Sequence, residues 1–145
     1  MAAVRRKAKP TTVRQPTAVP QLDLRLYGKD LEEWPRSWMG VPEDLADGQE
    51  IVHCFRPFLH HLIHSGLSRK TIRKHVDNLW ILGGEIIRDL NEDPSLRKRP
   101  VKDLVFEGVE GGGLLPYHHD SEQDLRSFES TCNKFRRFLE QQLPA

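Results

Sequence analysis

Four cations at the start of one predicted helix are the side chains best placed to do chemistry. Arg69, Lys70, Arg73 and Lys74 follow a Gly-Leu-Ser turn at positions 66–68. The helix dipole favours acidic residues at a helix N-terminus, so four cations there oppose it. Binding of an external polyanion would account for them, because lysine and arginine neutralise nucleic-acid phosphates. The pattern therefore predicts contact with DNA or RNA.

These cations could also serve the protein itself or a protein partner. Residues 29–50 carry many carboxylates, which could neutralise the helix start inside the same protein. A protein partner is the second alternative to nucleic acid. Internal neutralisation predicts that the cations are tied to carboxylates of the chain, whereas nucleic-acid binding requires them to be exposed.

Positive charge recurs elsewhere along the chain. Residues 1–20 carry five Lys/Arg and no acid, and residues 56–102 carry a net charge of +5, although the whole chain has a net charge of only +1. Such segregation is typical of an electrostatic footprint for a polyanion. A short connector adds three further predicted nucleic-acid contacts, Arg97, Lys98 and Arg99.

The histidines and cysteines offer little for metal binding or catalysis. His60 and His64 are four apart on a predicted helix, a spacing that can share one metal, but no Glu or Cys obviously completes the set. Adjacent His118 and His119 come without a positioned nucleophile. Cys54 and Cys132 are 78 positions apart, which fits buried thiols better than a disulfide framework. We expect no metal, no cofactor and no enzymatic activity.

Three helices must position these groups. Apolar spacing predicts a helix over 47–65 with a capping-box-like start at Asp47, and Pro57 should kink or split it. Ser68 should cap a second helix over 69–91. In its middle the pair Gly83-Gly84 weakens the helix, so we expect close approach by another helix, by Trp34 or Trp38, or else a kink. A last helix is predicted over 120–143.

The remaining segments complete the predicted organisation. Residues 1–21, rich in proline and basic residues, should form a disordered tail, and residues 22–145 a single domain. Alternating leucines at 22–26 allow a short strand, and a minor β-hairpin is possible near 101–117. The fold class is therefore mainly α, a bundle of three to five helices. Without a long apolar run or a secretory signal, we expect a cytoplasmic protein that does not enter membranes.

One stretch resembles a known family. The segment GLSRKTIRKHVDNLWILGG at 66–84, with Phe58 and Leu59 before it, resembles the core-binding, SAM-like domain of tyrosine recombinases and phage integrases. The resemblance implies a helical module that clamps DNA. This chain departs from the family because no Arg/His/Tyr catalytic domain follows and because Gly83-Gly84 is unusual. The same residues also resemble a helix-turn-helix motif, in which 69–74 would begin the recognition helix.

These observations lead to one function and one alternative. We expect a non-catalytic, DNA-binding accessory protein of mobile-element or regulatory type. The alternative is a helical protein-interaction module, antitoxin-like or an adaptor, which would expose an apolar patch near Trp34, Trp38 and the glycine pair.

Overall fold

A computed structural model describes residues 31–110 and 121–142, and every regular element in these ranges is helical. The five α-helices are α1 (Trp34–Trp38), α2 (Asp44–Ile63), α3 (Arg69–Glu92), α4 (Val101–Val109) and α5 (Glu122–Gln142). Short 3₁₀ helices at Leu31–Glu33 and Pro94–Lys98 precede α1 and α4. The predicted mainly α bundle is confirmed.

The hairpin of α2 and α3 is built around one glycine turn. Gly66 has a φ of +84°, a left-handed conformation that residues with a Cβ rarely adopt. Ser68 then caps α3, because its hydroxyl accepts a hydrogen bond from the Thr71 N–H at 3.1 Å. Both features match the sequence prediction, and they fix where the basic end of α3 begins.

Aromatic side chains from α2 and α5 fill the centre of the bundle. Phe58 stacks on Phe135 with ring centroids 4.7 Å apart, and Phe55 meets the same ring edge-on at 5.5 Å. All three side chains are fully buried. Burial of large aromatic rings contributes strongly to stability, so this trio anchors α5 to the hairpin.

The glycine pair of α3 makes room for an indole from α1. A Cβ at Gly83 would lie 2.3 Å from Trp38 Cζ2, and one at Gly84 would lie 3.3 Å from Trp38 Cδ1. The Trp38 indole is held there, because its Nε1–H donates to the Trp80 carbonyl oxygen at 3.0 Å. The close approach predicted for this pair is confirmed, and Trp38 is the residue that makes it.

Replacing Gly83 by alanine should therefore destabilise the fold by about 1–3 kcal/mol, because overpacking outweighs the gain in helix propensity. Gly108 in α4 is the matched control: a Cβ there would meet Leu82 at an ordinary 3.6 Å. Gly108→Ala should be neutral or more stable by up to about 1 kcal/mol. Urea unfolding of both variants measures the difference, and a Gly83→Ala protein as stable as wild type would refute the packing account.

The strand predicted at the beginning of 101–117 is wrong, because Val101–Val109 is helix α4. Its buried residues Leu104, Val105, Gly108 and Val109 recur at helical spacing and form one face. Valines and a phenylalanine favour strands by local propensity, but packing of this face against α2, α3 and α5 decides the outcome.

The predicted start of α2 is also wrong. The helix begins at Asp44 rather than Asp47, and its N-cap residue Glu43 makes no side-chain cap bond. The Asp44 carboxylate instead accepts the N–H groups of Gly40 and Val41, at 2.8 and 2.9 Å. Pro57 does not split the helix, which is continuous from Asp44 to Ile63.

Four of the predicted features lie outside the described residues. These are the basic tail at 1–21, the strand at 22–26, the second part of the hairpin at 111–117, and the histidine pair at 118–119. Among the helices that are described, none is both long enough and apolar enough to cross a bilayer.

Candidate nucleic-acid interface

The four cations predicted from the sequence occupy the first two turns of α3. Arg69, Lys70, Arg73 and Lys74 are all exposed to solvent. Within the described ranges, no ion pair joins Arg69, Lys70 or Lys74 to a carboxylate. Asp77 follows Arg73 by one helical turn and is the nearest acidic residue along the helix. The helix start therefore presents a concentrated positive surface.

Four of the carboxylates expected to neutralise this surface have other partners. Glu32 pairs with Arg56, Glu33 pairs with Arg36 at 3.4 Å, and Asp44 and Asp47 both pair with Arg97. These ion pairs join the first 3₁₀ helix to α1 and α2, and they join the start of α2 to the connector before α4. Among the described residues, no ion pair between these carboxylates and Arg69, Lys70 or Lys74 supports the internal-neutralisation alternative.

Arg97, which the sequence grouped with the phosphate contacts, is engaged inside the fold. Its Nη2 lies 2.7 Å from Asp44 Oδ1 and its Nη1 lies 2.6 Å from Asp47 Oδ2. Its side chain is only 19% exposed. The two carboxylates thus occupy N–H groups of Arg97 that would otherwise donate to a phosphate. Arg97 therefore fixes the connector to the start of α2, and we leave it out of the interface.

The rest of the connector is also remote from the basic start of α3. Arg99 and Lys98 are both exposed, and Arg99 makes a two-armed pair with Glu107 of α4. The connector follows the C-terminal end of α3, and at 1.5 Å per residue that end is about 35 Å from Arg69. The sequence could not show this separation, because a net charge summed over 56–102 ignores the length of the helix between the two groups.

Asp44 is the centre of a buried polar cluster at that far end. Its side chain is fully buried, and Asn91 Nδ2 donates to its Oδ2 at 3.0 Å. Burial by itself raises the pKa of Asp44, but hydrogen bonds from Asn91, Arg97 and the two backbone N–H groups outweigh it and lower the pKa to about 2. This cluster joins the start of α2 to the end of α3 and to the connector.

A second buried polar cluster joins α3 to α5. His75 Nδ1 lies 2.7 Å from Thr131 Oγ1, and Asn78 Nδ2 donates to Thr131 Oγ1 at 2.8 Å and to Ser127 Oγ at 3.0 Å. Burial lowers the pKa of His75, and the charge of Lys134 lowers it further. Since His75 meets Thr131 and Asn78 reaches back to Ser127, the two helices run antiparallel.

The histidines of α2 take no part in a metal site within the described residues, where no three potential ligands converge. His61 packs against Phe138 with ring centroids 5.0 Å apart. His64 Nδ1 lies 2.8 Å from the carbonyl oxygen of His60. His61 therefore packs against an aromatic ring of α5, and His64 contacts the backbone at the C-terminal end of α2.

A shallow cavity of about 550 Å³ lies between α1 and α3, close to the glycine pair. The residues that line this cavity are Ser37, Trp38, Trp80, Ile81, Gly84, Glu85 and Arg88. The indole N–H groups of both tryptophans are already bonded, since Trp80 Nε1 donates to Ser37 Oγ at 2.9 Å. Among the described residues, the exposed large apolar side chains are Met39 and Val41 alone. Trp38, Trp80 and Ile81, which line the cavity, are half-buried, so the apolar surface near the glycine pair is recessed in the cavity.

Comparisons of the chain with protein-family models, with curated proteins and with solved structures found no match. The resemblance of 58–84 to a recombinase core-binding domain therefore stays a prediction.

Proposed function

We propose that this protein is a non-catalytic DNA-binding protein that grips the phosphate backbone with the basic start of α3. The observation that carries the proposal is the exposure of all four cations in two successive helical turns. Phosphate contacts of this kind are salt-dependent, because each neutralised phosphate releases condensed counterions. Arg69, Lys70, Arg73 and Lys74 form the basic surface in this proposal.

The turn before α3 supports the same role. The Gly66 turn and the Ser68 cap fix the residue at which α3 begins. All four cations therefore lie on the same ordered helix start. A rigid element positions binding groups more accurately than a loop does. The modules that residues 58–84 resemble bind DNA in their families, and a mobile-element or regulatory role belongs to this proposal.

The protein-interaction alternative has less support. Its expected site would be the cavity beside Trp38 and Trp80. Arg88 contacts Glu85 at 3.8 Å, so this wall of the cavity is partly self-neutralised. Since both indole N–H groups are also bonded within the fold, the cavity offers a partner few unused polar groups.

Titration of the full chain against a labelled 20-bp DNA duplex at 50 and 200 mM salt tests the proposal. Four phosphate contacts give a slope of about −3.6 in a plot of log affinity against log salt. Affinity should therefore fall at least about 150-fold between the two concentrations. Binding that ignores salt, or no detectable binding at 50 mM, would overturn the proposal.

A further inference from the structure

A second row of cations lies beside the basic surface, on a different helix. Lys134 and Arg137 of α5 are half-buried and exposed, respectively. Within the described ranges neither makes an ion pair, whereas neighbouring Arg136 is bound to Glu140 at 3.1 Å. The distribution of charge along the sequence does not single out Lys134 and Arg137 as binding residues, because residues 103–145 carry a net charge of −4.

Contacts across the seam between α3 and α5 place the two rows side by side. On α3, Lys70, Lys74 and Asn78 are spaced by four residues and so share one flank. Asn78 bonds to Ser127 and Thr131, so this flank is the one that faces α5.

On α5, Lys134 comes three residues after Thr131, and its charge acts on His75 across the seam. Arg137 is another three residues on, about 4.5 Å further along the helix. Because the helices are antiparallel, this step leads towards the start of α3.

Two carboxylates lie near this seam, and each is turned to another neighbour. On α3, Asp77 follows Lys74 by three residues but lines a cavity with Trp34 and Trp80, and on the flank that continues through Asn78 the first carboxylate is Glu85. On α5, Glu140 follows Arg137 by three residues and is bound to Arg136 at 3.1 Å. The two rows therefore form one positive surface about as wide as the spacing of packed helices, roughly 8–10 Å.

We infer that Lys134 and Arg137 complete the interface and that its ligand is double-stranded DNA, an inference that rests on the proposed function. Two parallel rows of cations match a ligand with two charged strands, which carries one negative charge per ~1.7 Å of axis. Single strands are held largely by stacking of bases on aromatic side chains. The described part of this surface exposes no large aromatic ring; Phe138, at its edge, is packed against Phe58 and His61.

The test compares three forms of the full chain against a 20-bp duplex and against one of its strands. The first is wild type, and the second carries Lys134→Gln and Arg137→Gln, which keep long polar side chains. The third carries Arg36→Gln and Lys102→Gln as a control of equal charge, since both residues are exposed and lie on α1 and α4, away from the seam.

We expect the Lys134/Arg137 variant to bind duplex about fiftyfold more weakly at 100 mM salt, with a salt slope shallower by about 1.8. The control variant should lose much less affinity for the duplex. Wild type should prefer the duplex to the single strand by at least about tenfold, since it offers the second charged strand.

Equal binding by the Lys134/Arg137 variant and wild type would overturn the role of α5, and equal binding of single strand and duplex would overturn the ligand class. Either result leaves the basic surface of α3 intact as a DNA site, because that surface is tested by its own variant. Thermal unfolding of each variant, monitored by circular dichroism, confirms that a loss of binding is not a loss of fold.

Discussion

Asp44→Ala should destabilise the protein by about 3–5 kcal/mol, the usual result of removing one partner from a buried ion pair. The change removes an acceptor from four donors: the Gly40 and Val41 N–H groups, the Asn91 amide and one arm of Arg97. The Asn91 amide keeps the Ile87 carbonyl oxygen, and the arm of Arg97 keeps Asn91 Oδ1. The start of α2 and the connector before α4 should loosen together, because Asp44 joins them. Urea unfolding of the variant and of wild type measures the loss.

Asp47→Ala is the matched control for this prediction. Asp47 binds the other arm of Arg97 at 2.6 Å, but its side chain is 21% exposed. Its loss should cost about 1 kcal/mol, since water can replace part of the interaction. A loss below about 1 kcal/mol for Asp44→Ala would show that the cluster does not stabilise the fold.

The carboxylate of Asp44 also determines how the stability of the fold changes at acid pH. The pKa of Asp44 is lowered from an ordinary 3.8 to about 2 in the folded protein. Its contribution is therefore complete above pH 3.8 and is lost as the pH falls through about 2. The difference between these values corresponds to about 2 kcal/mol, which acid titration of wild type should show and which Asp44→Asn should remove.

Local signals in the sequence predict those parts of the fold that depend on local chemistry. The Gly66 turn and the Ser68 cap lie where expected, because a left-handed turn and an N-cap each require particular residue types. The approach of Trp38 to Gly83 is predictable for a similar reason, since two glycines inside a helix imply a close neighbour.

Predictions that needed tertiary information were less successful. Val101–Val109 has the composition of a strand, but burial of one helical face makes it α4. Arg97 has the sequence context of a surface cation, but Asp44 and Asp47, about 50 positions earlier, bind it. Lys134 could not be chosen from the sequence, because only the pairing of α5 with α3 brings it near the basic surface.

Replacing Arg69, Lys70, Arg73 and Lys74 together by alanine should weaken duplex binding at 100 mM salt at least about a thousandfold. Each neutralised phosphate contributes close to one factor of ten at that salt concentration, so four losses multiply. The fold should persist, because all four side chains are exposed and alanine is the best helix former. The Ser68 cap, which starts the helix, is unchanged.

A control of equal charge removes four exposed or half-buried cations elsewhere. Arg36, Arg56, Lys102 and Arg126 lie on α1, α2, α4 and α5. Three of them already pair with Glu33, Glu32 and Glu122. Their replacement by alanine changes the net charge by the same amount, so it separates the basic surface from general electrostatic attraction.

Fluorescence anisotropy of a labelled 20-bp duplex, titrated with wild type, the α3 variant and the control at 100 mM salt, tests the central claim most directly. We predict that wild type and the control bind with affinities within about tenfold of each other, while the folded α3 variant loses at least about a thousandfold. A folded α3 variant that binds as tightly as wild type would contradict the assignment of this surface to DNA.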